Sequence, residues 1–270
     1  MSTVSEIQTA RVAGAFDSVA PVFESSLENE VTRSLRKKVY DTIESLVRPG
    51  SSILDINCGI GIDAVELARK GYRVVGTDLS AKMVDEARSR AAKQGVTVEF
   101  QQSSFENLSS VAGEQYDLVL SNFGGLNCVE SLETVATQVA SVTKPSGHFV
   151  AVFMPKVSLW EIVAGLTRLN PGFAFRRFRE ETLATGFPGK PFRVFYYSPR
   201  KIGRPFEAWF TVKSIQGLNV LSPPPHATVF RNNHPASSLF LERIDQTIGT
   251  IPFLRSAGDH SLIVLKKQSS

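Results

Sequence analysis

Apolar residues first recur on a spacing of three to four at Val31, Leu35, Val39, Ile43 and Leu46. That spacing places one apolar stripe on a helix over residues 27–47, ended by Pro49 and Gly50. "SSILDI" (51–56) then predicts a short strand, and "IDAVELARK" (62–70) a helix closed by Gly71. "YRVVGTD" (72–78) reads as a second strand. Ser80 is placed as the N-cap of a helix that carries Val84, Ala87 and Ala91 and stops at Gly95. "VTVEFQQ" (96–102) and "YDLVLSNF" (116–123) supply a third and a fourth strand. After a helix bearing Leu132, Val135, Ala136 and Val139, "KPSG" turns the chain into a fifth strand, "HFVAVFM" (148–154).

Strands alternating with helices in this way predict right-handed crossovers and a parallel sheet. The fold class is therefore α/β, a doubly wound and mostly parallel sheet, with ligand at the C-terminal strand ends. Past Met154 the pattern loosens. "KVSLWEIVAGLTRL" (156–169) and "SSLFLERIDQTIG" (237–249) read as helices, with a short helical turn at "PRKIG". "FRVFYYS", "FEAWFTVKSIQGLNV" and "SLIVLKK" read as strands, and the Pro and Asn density of residues 222–236 as a loop. No repeat or linker interrupts the chain, so one domain over 1–270 is expected. It divides into a helical lid (1–48), a cofactor-binding half (49–154) and an acceptor-side half (155–270). Insertions fall at about 168–197 and 222–256 of that last half.

Composition changes this picture little. With 42% hydrophobic and 21% charged residues, the chain is an ordinary globular sequence. Two cysteines, Cys58 and Cys128, are too few for a disulfide framework or a cysteine-ligated metal centre, and no metal is expected. The N-terminus lacks a secretory pattern and no apolar run is long enough to span a membrane, so a cytoplasmic location is expected. Charge is more informative. Between Arg168 and Arg204 there are nine Lys or Arg against two glutamates, a patch suited to an acidic substrate, a phosphate or peripheral membrane contact. The oligomeric state is left open.

Chemistry first shows in "ILDINCGIGIDA" (53–64). A glycine turn between strand and helix lets backbone N–H groups approach a ligand closely. Gly59, Gly61 and Ala64 satisfy the loose dinucleotide spacing. Asp55 ends the first strand, where a carboxylate repels a pyrophosphate and attracts a cationic amine or sulfonium. Asp78 ends the second, 17 residues after Gly61, placed to accept both hydroxyls of a ribose. Leu79 and Met83 follow, suited to flank an adenine. Asn57 stands where such turns usually have glycine; asparagine best tolerates the left-handed or bridging backbone such turns demand, and its side chain can add a hydrogen bond.

These segments resemble the class I S-adenosylmethionine-dependent methyltransferases. "ILDINCGIG" matches their glycine loop and "VVGTDLSAKMVDEAR" the ribose acid with its helix. "SSFENL" matches the adenine-edge segment, and "YDLVLSNFGGLN" and "KPSGHFVAVF" the fourth and fifth strands. "VAGAFDSVAPVFE" is similar to the start of the lid in quinone-biosynthesis C-methyltransferases. The resemblance implies a seven-stranded sheet and S-adenosyl-L-methionine as cofactor. Asp55 would lie near its methionine portion, and Asn57, Cys58, Gly59 and Gly61 would line that part of the loop. Asp78 would bind the ribose, and Leu79 and Met83 would flank the adenine. Ser104 and Phe105 would sit at the adenine edge, Asn122 and Phe123 at the mouth beside the transferable methyl.

The expected partner is a small-molecule methyl acceptor, lipophilic or acidic, methylated on oxygen or carbon. A base is needed only where the acceptor must lose a proton. His226 and His234 in the Pro-rich loop are candidates for it, with Tyr196 and Tyr197 to orient an acceptor hydroxyl. "SNFGG" lacks the Pro-Pro-aromatic grip used on nucleobase amines, which disfavours nucleic acid. The insertion around 170–190 reads as a lid over the acceptor. Two alternatives stand beside this reading: an NAD-dependent oxidoreductase, and a non-catalytic module that binds S-adenosylmethionine.

Overall fold

The computed structural model describes residues 4–111, 113–189 and 191–269. Lys190 of the basic stretch lies outside them. Three helices come first: α1 (Val4–Val19), α2 (Phe23–Leu27) and α3 (Glu30–Leu46). Asn29 starts α3 as a capping box. Its side chain accepts from Val31 N (2.9 Å) and Thr32 N (3.1 Å), and Thr32 Oγ1 accepts from Asn29 N (2.7 Å). The predicted stripe of Leu35, Val39 and Ile43 is then buried against the sheet.

The βα alternation runs β1 (Ser52–Asp55), α4 (Ile62–Arg69), β2 (Arg73–Asp78), α5 (Ala81–Gln94), β3 (Glu99–Gln102) and α6 (Leu108–Val111). It continues with β4 (Tyr116–Ser121), α7 (Glu133–Val142) and β5 (Thr143–Phe153). Gly71 (φ +89°) and Gly95 (φ +65°) end α4 and α5, as their places in the sequence predict. The remainder comprises α8 (Leu159–Thr167), α9 (Pro171–Ala174), β6 (Glu181–Ala184), β7 (Phe192–Phe195) and α10 (Pro199–Gly203). It closes with β8 (Phe210–Leu218), α11 (Thr228–Asn233), α12 (Pro235–Ile248) and β9 (His260–Lys267).

Seven strands form one sheet in the order β3-β2-β1-β4-β5-β9-β8. The first five are parallel, and β9 is antiparallel to both β5 and β8. A buried apolar cluster covers each face. Because β9 runs backwards, its first residue, His260, lies at the same edge as the ends of the parallel strands.

Three local expectations change. "KPSG" lies inside β5: Thr143 already pairs with Tyr116, and the turn survives as a shift of register with Ser146 at φ +62°. "FRVFYYS" does not enter the main sheet. Its Phe192 and Phe195 give an edge that pairs with β6, and Phe192 packs on α1. The loop expected over 222–236 contains α11 and the start of α12. Pro235 occupies the first turn of α12, where proline lacks no needed N–H and preorganises the helix.

Candidate functional site

The loop from β1 into α4 turns through two left-handed glycines, Gly59 (φ +52°) and Gly61 (φ +77°). Asn57 is not left-handed, and the side-chain hydrogen bond expected of it is present. It acts through its side chain: Nδ2 donates to the Asn122 carbonyl at 2.6 Å, tying the β1 loop to the end of β4. Gly125 lies against it so closely that a Cβ there would stand 2.6 Å from Asn57 Cγ. Gly61 has a packing role. A Cβ at that position would meet Ala87 Cβ at 2.9 Å, so glycine lets α4 and α5 come together, and Gly61 does not line the cavity.

That cavity, of about 410 Å³, opens between the C-terminal strand ends and α1. Of the sequence-predicted cofactor residues, Asn57, Cys58, Gly59, Asp78, Leu79, Met83, Ser104, Phe105, Asn122 and Phe123 line it. Asp55 and Gly61 stand behind its wall.

Asp78 accepts one backbone N–H on each oxygen, from Gly59 at 2.9 Å and from Ser80 at 2.9 Å. An ionised carboxylate offers about four acceptor sites, so it keeps acceptor capacity beyond these two bonds, and Asp78 lines the cavity. Burial raises its carboxyl above the ordinary value, while the N–H groups of Ser80, Gly59 and Leu79 pull the other way. Asp55 is 1% exposed, and among the described residues neither of its oxygens has a partner in full hydrogen-bond geometry, though the Asn57 backbone N–H pulls its carboxyl down. Burial pushes its carboxyl well up, and the neighbouring charge of Asp63 adds to this. Burial also lifts both thiols, that of Cys128 to about 12, so they stay protonated.

Sequence reasoning missed the buried centre beside Asp55. Asp63, in the first turn of α4, accepts from Arg36, from the Tyr40 hydroxyl at 2.6 Å and from Asn122 Nδ2 at 3.0 Å. Arg36 also reaches Glu28 Oε1 at 2.7 Å, and its guanidinium lies 4.5 Å from the Phe123 ring centroid. Burial would lower the Arg36 pKa, but Asp63 and Glu28 together hold it above the usual arginine value. The signal was present. Arg36 and Tyr40 sit one turn apart on the flank of a stripe that is buried, where an arginine is rare unless paired.

The roof was missed as well. Gln8, Thr9, Val12 and Phe16 of α1 line the cavity. Gln8 is bound to the main chain of β7, with Nε2 donating to Arg193 O at 2.8 Å and Oε1 accepting from Arg193 N at 3.0 Å. Asp17 accepts from Ser80 Oγ (2.5 Å) and Lys82 N (3.1 Å), docking the other end of α1 on α5. Part of the insertion thus braces the roof of this cavity, through Phe187 and Phe192 against Phe16.

The four expected catalytic side chains are not brought to the cavity. Tyr196 is buried against Thr182 (3.1 Å), and the Tyr197 hydroxyl donates to the Val129 carbonyl. His226 and His234 are exposed, because the loop that carries them folds into outward-lying helices; His234 stacks on Phe230 at 4.8 Å.

Residues 53–147 match the family described as "Methyltransferase domain". The ubiquinone biosynthesis O-methyltransferase of Aeromonas salmonicida is 34% identical over 123 residues, which cover 42% of this chain and 49% of that protein. The chain thus spans about half the length of the curated relatives it matches. Magnesium protoporphyrin IX methyltransferase from Synechocystis PCC 6803, solved with bound SAH, superposes with a TM-score of 0.61 at 17% identity. The match covers 97% of this chain and 100% of that one. The cyclase SpnF superposes with a TM-score of 0.65 at 15% identity, covering 97% of each chain. At such identities these two likenesses concern the fold.

Proposed function

We propose that the chain, whose residues 53–147 match a methyltransferase domain, is a class I S-adenosylmethionine-dependent methyltransferase that methylates an oxygen or carbon of a small lipophilic or acidic metabolite. The observation that carries this is Asp78, a carboxylate that lines the cavity and is steadied on each oxygen by one backbone N–H, from Gly59 and from Ser80. Two adjacent hydroxyls, as on a ribose, match that pair of acceptors. Leu79, Met83 and Phe105 give the apolar walls an adenine needs, and Asn57 and Gly59 face the amino-acid end. The unpartnered Asp55 carboxylate, just behind that wall, suits a nearby ammonium or sulfonium. When bound, S-adenosylmethionine supplies a methyl group on a positively charged sulfur. The chain's own work is to hold that group and the acceptor in line and to exclude water, which α1 does as a roof.

A nicotinamide dinucleotide fits less well, since its pyrophosphate would face Asp55 and Asp63. Calorimetry and thermal shift with S-adenosylhomocysteine and with NAD test the reading. Binding of the first alone is expected, and stabilisation by NAD alone would overturn it. The relatives named for ubiquinone biosynthesis support a lipophilic hydroxylated acceptor.

For the partner surface we infer peripheral contact with an anionic bilayer, through α8 and α9. Among the described residues no helix is long and apolar enough to cross a membrane. Yet Val163, Leu166 and Leu169 of this segment are exposed, Leu169 by 91% and with φ +54°, beside exposed Arg168 and Arg179. Apolar side chains set among arginines suit the headgroup boundary. Sedimentation with phosphatidylglycerol vesicles is expected to carry the protein down, and Leu169→Asp to prevent it. Equal recovery with phosphatidylcholine vesicles, or none with either, would count against it.

A further inference from the structure

The floor of the cavity carries more negative charge than its cation can answer. Asp63 and Asp78 line it, and Asp55 stands behind the wall within the field of both. Cys58, which also lines the cavity, feels the charge of all three carboxylates, so they surround one part of the floor. Among the described lining residues Arg36 is the one cation, and its guanidinium is already engaged by Asp63 and Glu28. A positive charge brought into the cavity therefore enters a field that the protein has left partly unbalanced.

The three carboxylates are not equivalent. Asp63 accepts from Arg36, from the Tyr40 hydroxyl at 2.6 Å and from Asn122 Nδ2 at 3.0 Å. Asp78 accepts from Gly59 N and Ser80 N, each at 2.9 Å. Asp55 is as deeply buried, yet neither of its oxygens has a partner in full hydrogen-bond geometry among the described residues. The Asn57 N–H helps it only weakly, against burial and the charges of Asp63 and Asp78. The groups that face it are Asp63 from α4, Asp78 from β2, Arg36 from α3 and Cys58 from the loop, while β4 sets Leu120 beside it. Where buried carboxylates crowd one cation, a proton settles on the one without donors. That one is Asp55.

We propose that Asp55 senses the charge on the ligand's sulfur: it is a neutral acid when the cavity holds no cation there, and a carboxylate when a sulfonium lies across the wall. This rests on the methyltransferase reading above and deepens it, by assigning the residue that tells the charged cofactor from its spent product. Asp55 gives one proton to solvent as the sulfonium arrives. Methyl transfer leaves the electron pair of the broken carbon–sulfur bond on sulfur, as a neutral thioether, and Asp55 takes one proton back from solvent. Charge in the floor is thus balanced in both states. The carboxylate form favours the cofactor by attraction, and the acid form offers the thioether none. Protons compete with the sulfonium for Asp55, so the preference for cofactor over product grows as pH rises. Asp55 touches no ligand and acts through its charge alone.

Isothermal titration with S-adenosylmethionine and with S-adenosylhomocysteine, each in phosphate and in Tris buffer, counts the protons exchanged on binding. Both ligands share their amino and carboxylate groups and the sulfonium does not titrate, so a difference in count belongs to the protein. At about pH 6 the first ligand is expected to release about one proton more than the second, and its relative affinity to rise by up to about tenfold per pH unit. Asp55→Asn is expected to bind S-adenosylhomocysteine within about threefold of wild type, to erase the difference in protons and to flatten that pH dependence. The wild-type protein supplies a second readout that needs no variant. Its infrared spectrum is expected to show the carbonyl stretch of a buried protonated acid, lost with S-adenosylmethionine and kept with S-adenosylhomocysteine. Equal proton counts for the two ligands in the wild type would overturn the proposal, as would a difference that survives in Asp55→Asn or a protonated-acid band that ignores the ligand. Failure to bind either ligand would instead overturn the methyltransferase reading.

Discussion

Gln8 of α1 and Arg193 of β7 are joined as two strands would be, with a side-chain amide in place of a backbone: 2.8 Å from Nε2 to the carbonyl and 3.0 Å from the N–H to Oε1. The roof of the cavity is thereby fastened to a segment 185 residues away. Replacing Gln8 by Leu keeps the bulk and removes both of these bonds, with the longer one from Nε2 to the Cys128 carbonyl at 3.3 Å. Each is worth about 1 kcal/mol net, so affinity for S-adenosylhomocysteine should fall about 5- to 30-fold, mostly through faster release. Stopped-flow release and hydrogen exchange of α1 check this; unchanged exchange in α1 would count against a latch.

Asp78→Ala removes the acceptors facing the cavity and leaves the Gly59 and Ser80 N–H groups to water. Hydrogen bonds to a charged carboxylate contribute about 1.5–3 kcal/mol each, so affinity should drop 100-fold or more. The far-ultraviolet circular dichroism spectrum should not change, because β2 and its neighbours do not depend on that side chain. Retained affinity would remove Asp78 from the site.

Asp55 carries a stability cost with a definite pH sign. Its folded-state pKa lies above the ordinary 3.8, so the ionised group destabilises the fold at neutral pH. That cost fades as pH falls through the folded value toward the unfolded one. Asp55→Asn should therefore raise the melting temperature of the ligand-free protein at pH 7, by about 2–4 °C for each kcal/mol relieved. It should also flatten the mildly acidic part of the stability profile and weaken S-adenosylmethionine binding. Lower stability with tighter binding would reverse the assignment.

Asp259 has the opposite sign. Burial would raise its carboxyl, but His260 and Arg177 hold it below the ordinary value. Its contribution is present above about pH 4 and is lost as pH falls through the lowered folded value. Arg177→Met strips the buried Asp259 of its arginine, while Glu161 keeps its bidentate pair with Arg176, an expected loss of about 3–5 kcal/mol. Denaturant titration at neutral pH reads this directly, and a loss below 1 kcal/mol would show that water enters to replace the arginine.

Much of the fold was legible because its cause is local. Period-3.6 and buried apolar runs fix the alternation from Val31 to Phe153, and Gly71 and Gly95 mark helix ends by a backbone only glycine adopts easily. Asp78 was legible since a carboxylate at a strand end after a glycine turn has few structural explanations. What could not be read was pairing at long range. That the Asn57 side chain can add a hydrogen bond was legible, but its partner, the Asn122 carbonyl 65 residues away, was not. His226 and His234 suggested chemistry through their loop, which only the packing of α11 and α12 turns outward.

The Gln8 latch has a consequence for how such a protein diversifies. The floor of the cavity lies within residues 53–147, the span shared with the wider family. The helix above it and the hairpin that clamps that helix both lie outside. On the proposed reading, changes in the hairpin that holds α1 would retune how long the spent nucleoside stays in place while leaving Asp78 and the glycine loop untouched. The floor and its clamp are carried on separate segments, so selection can act on them one at a time.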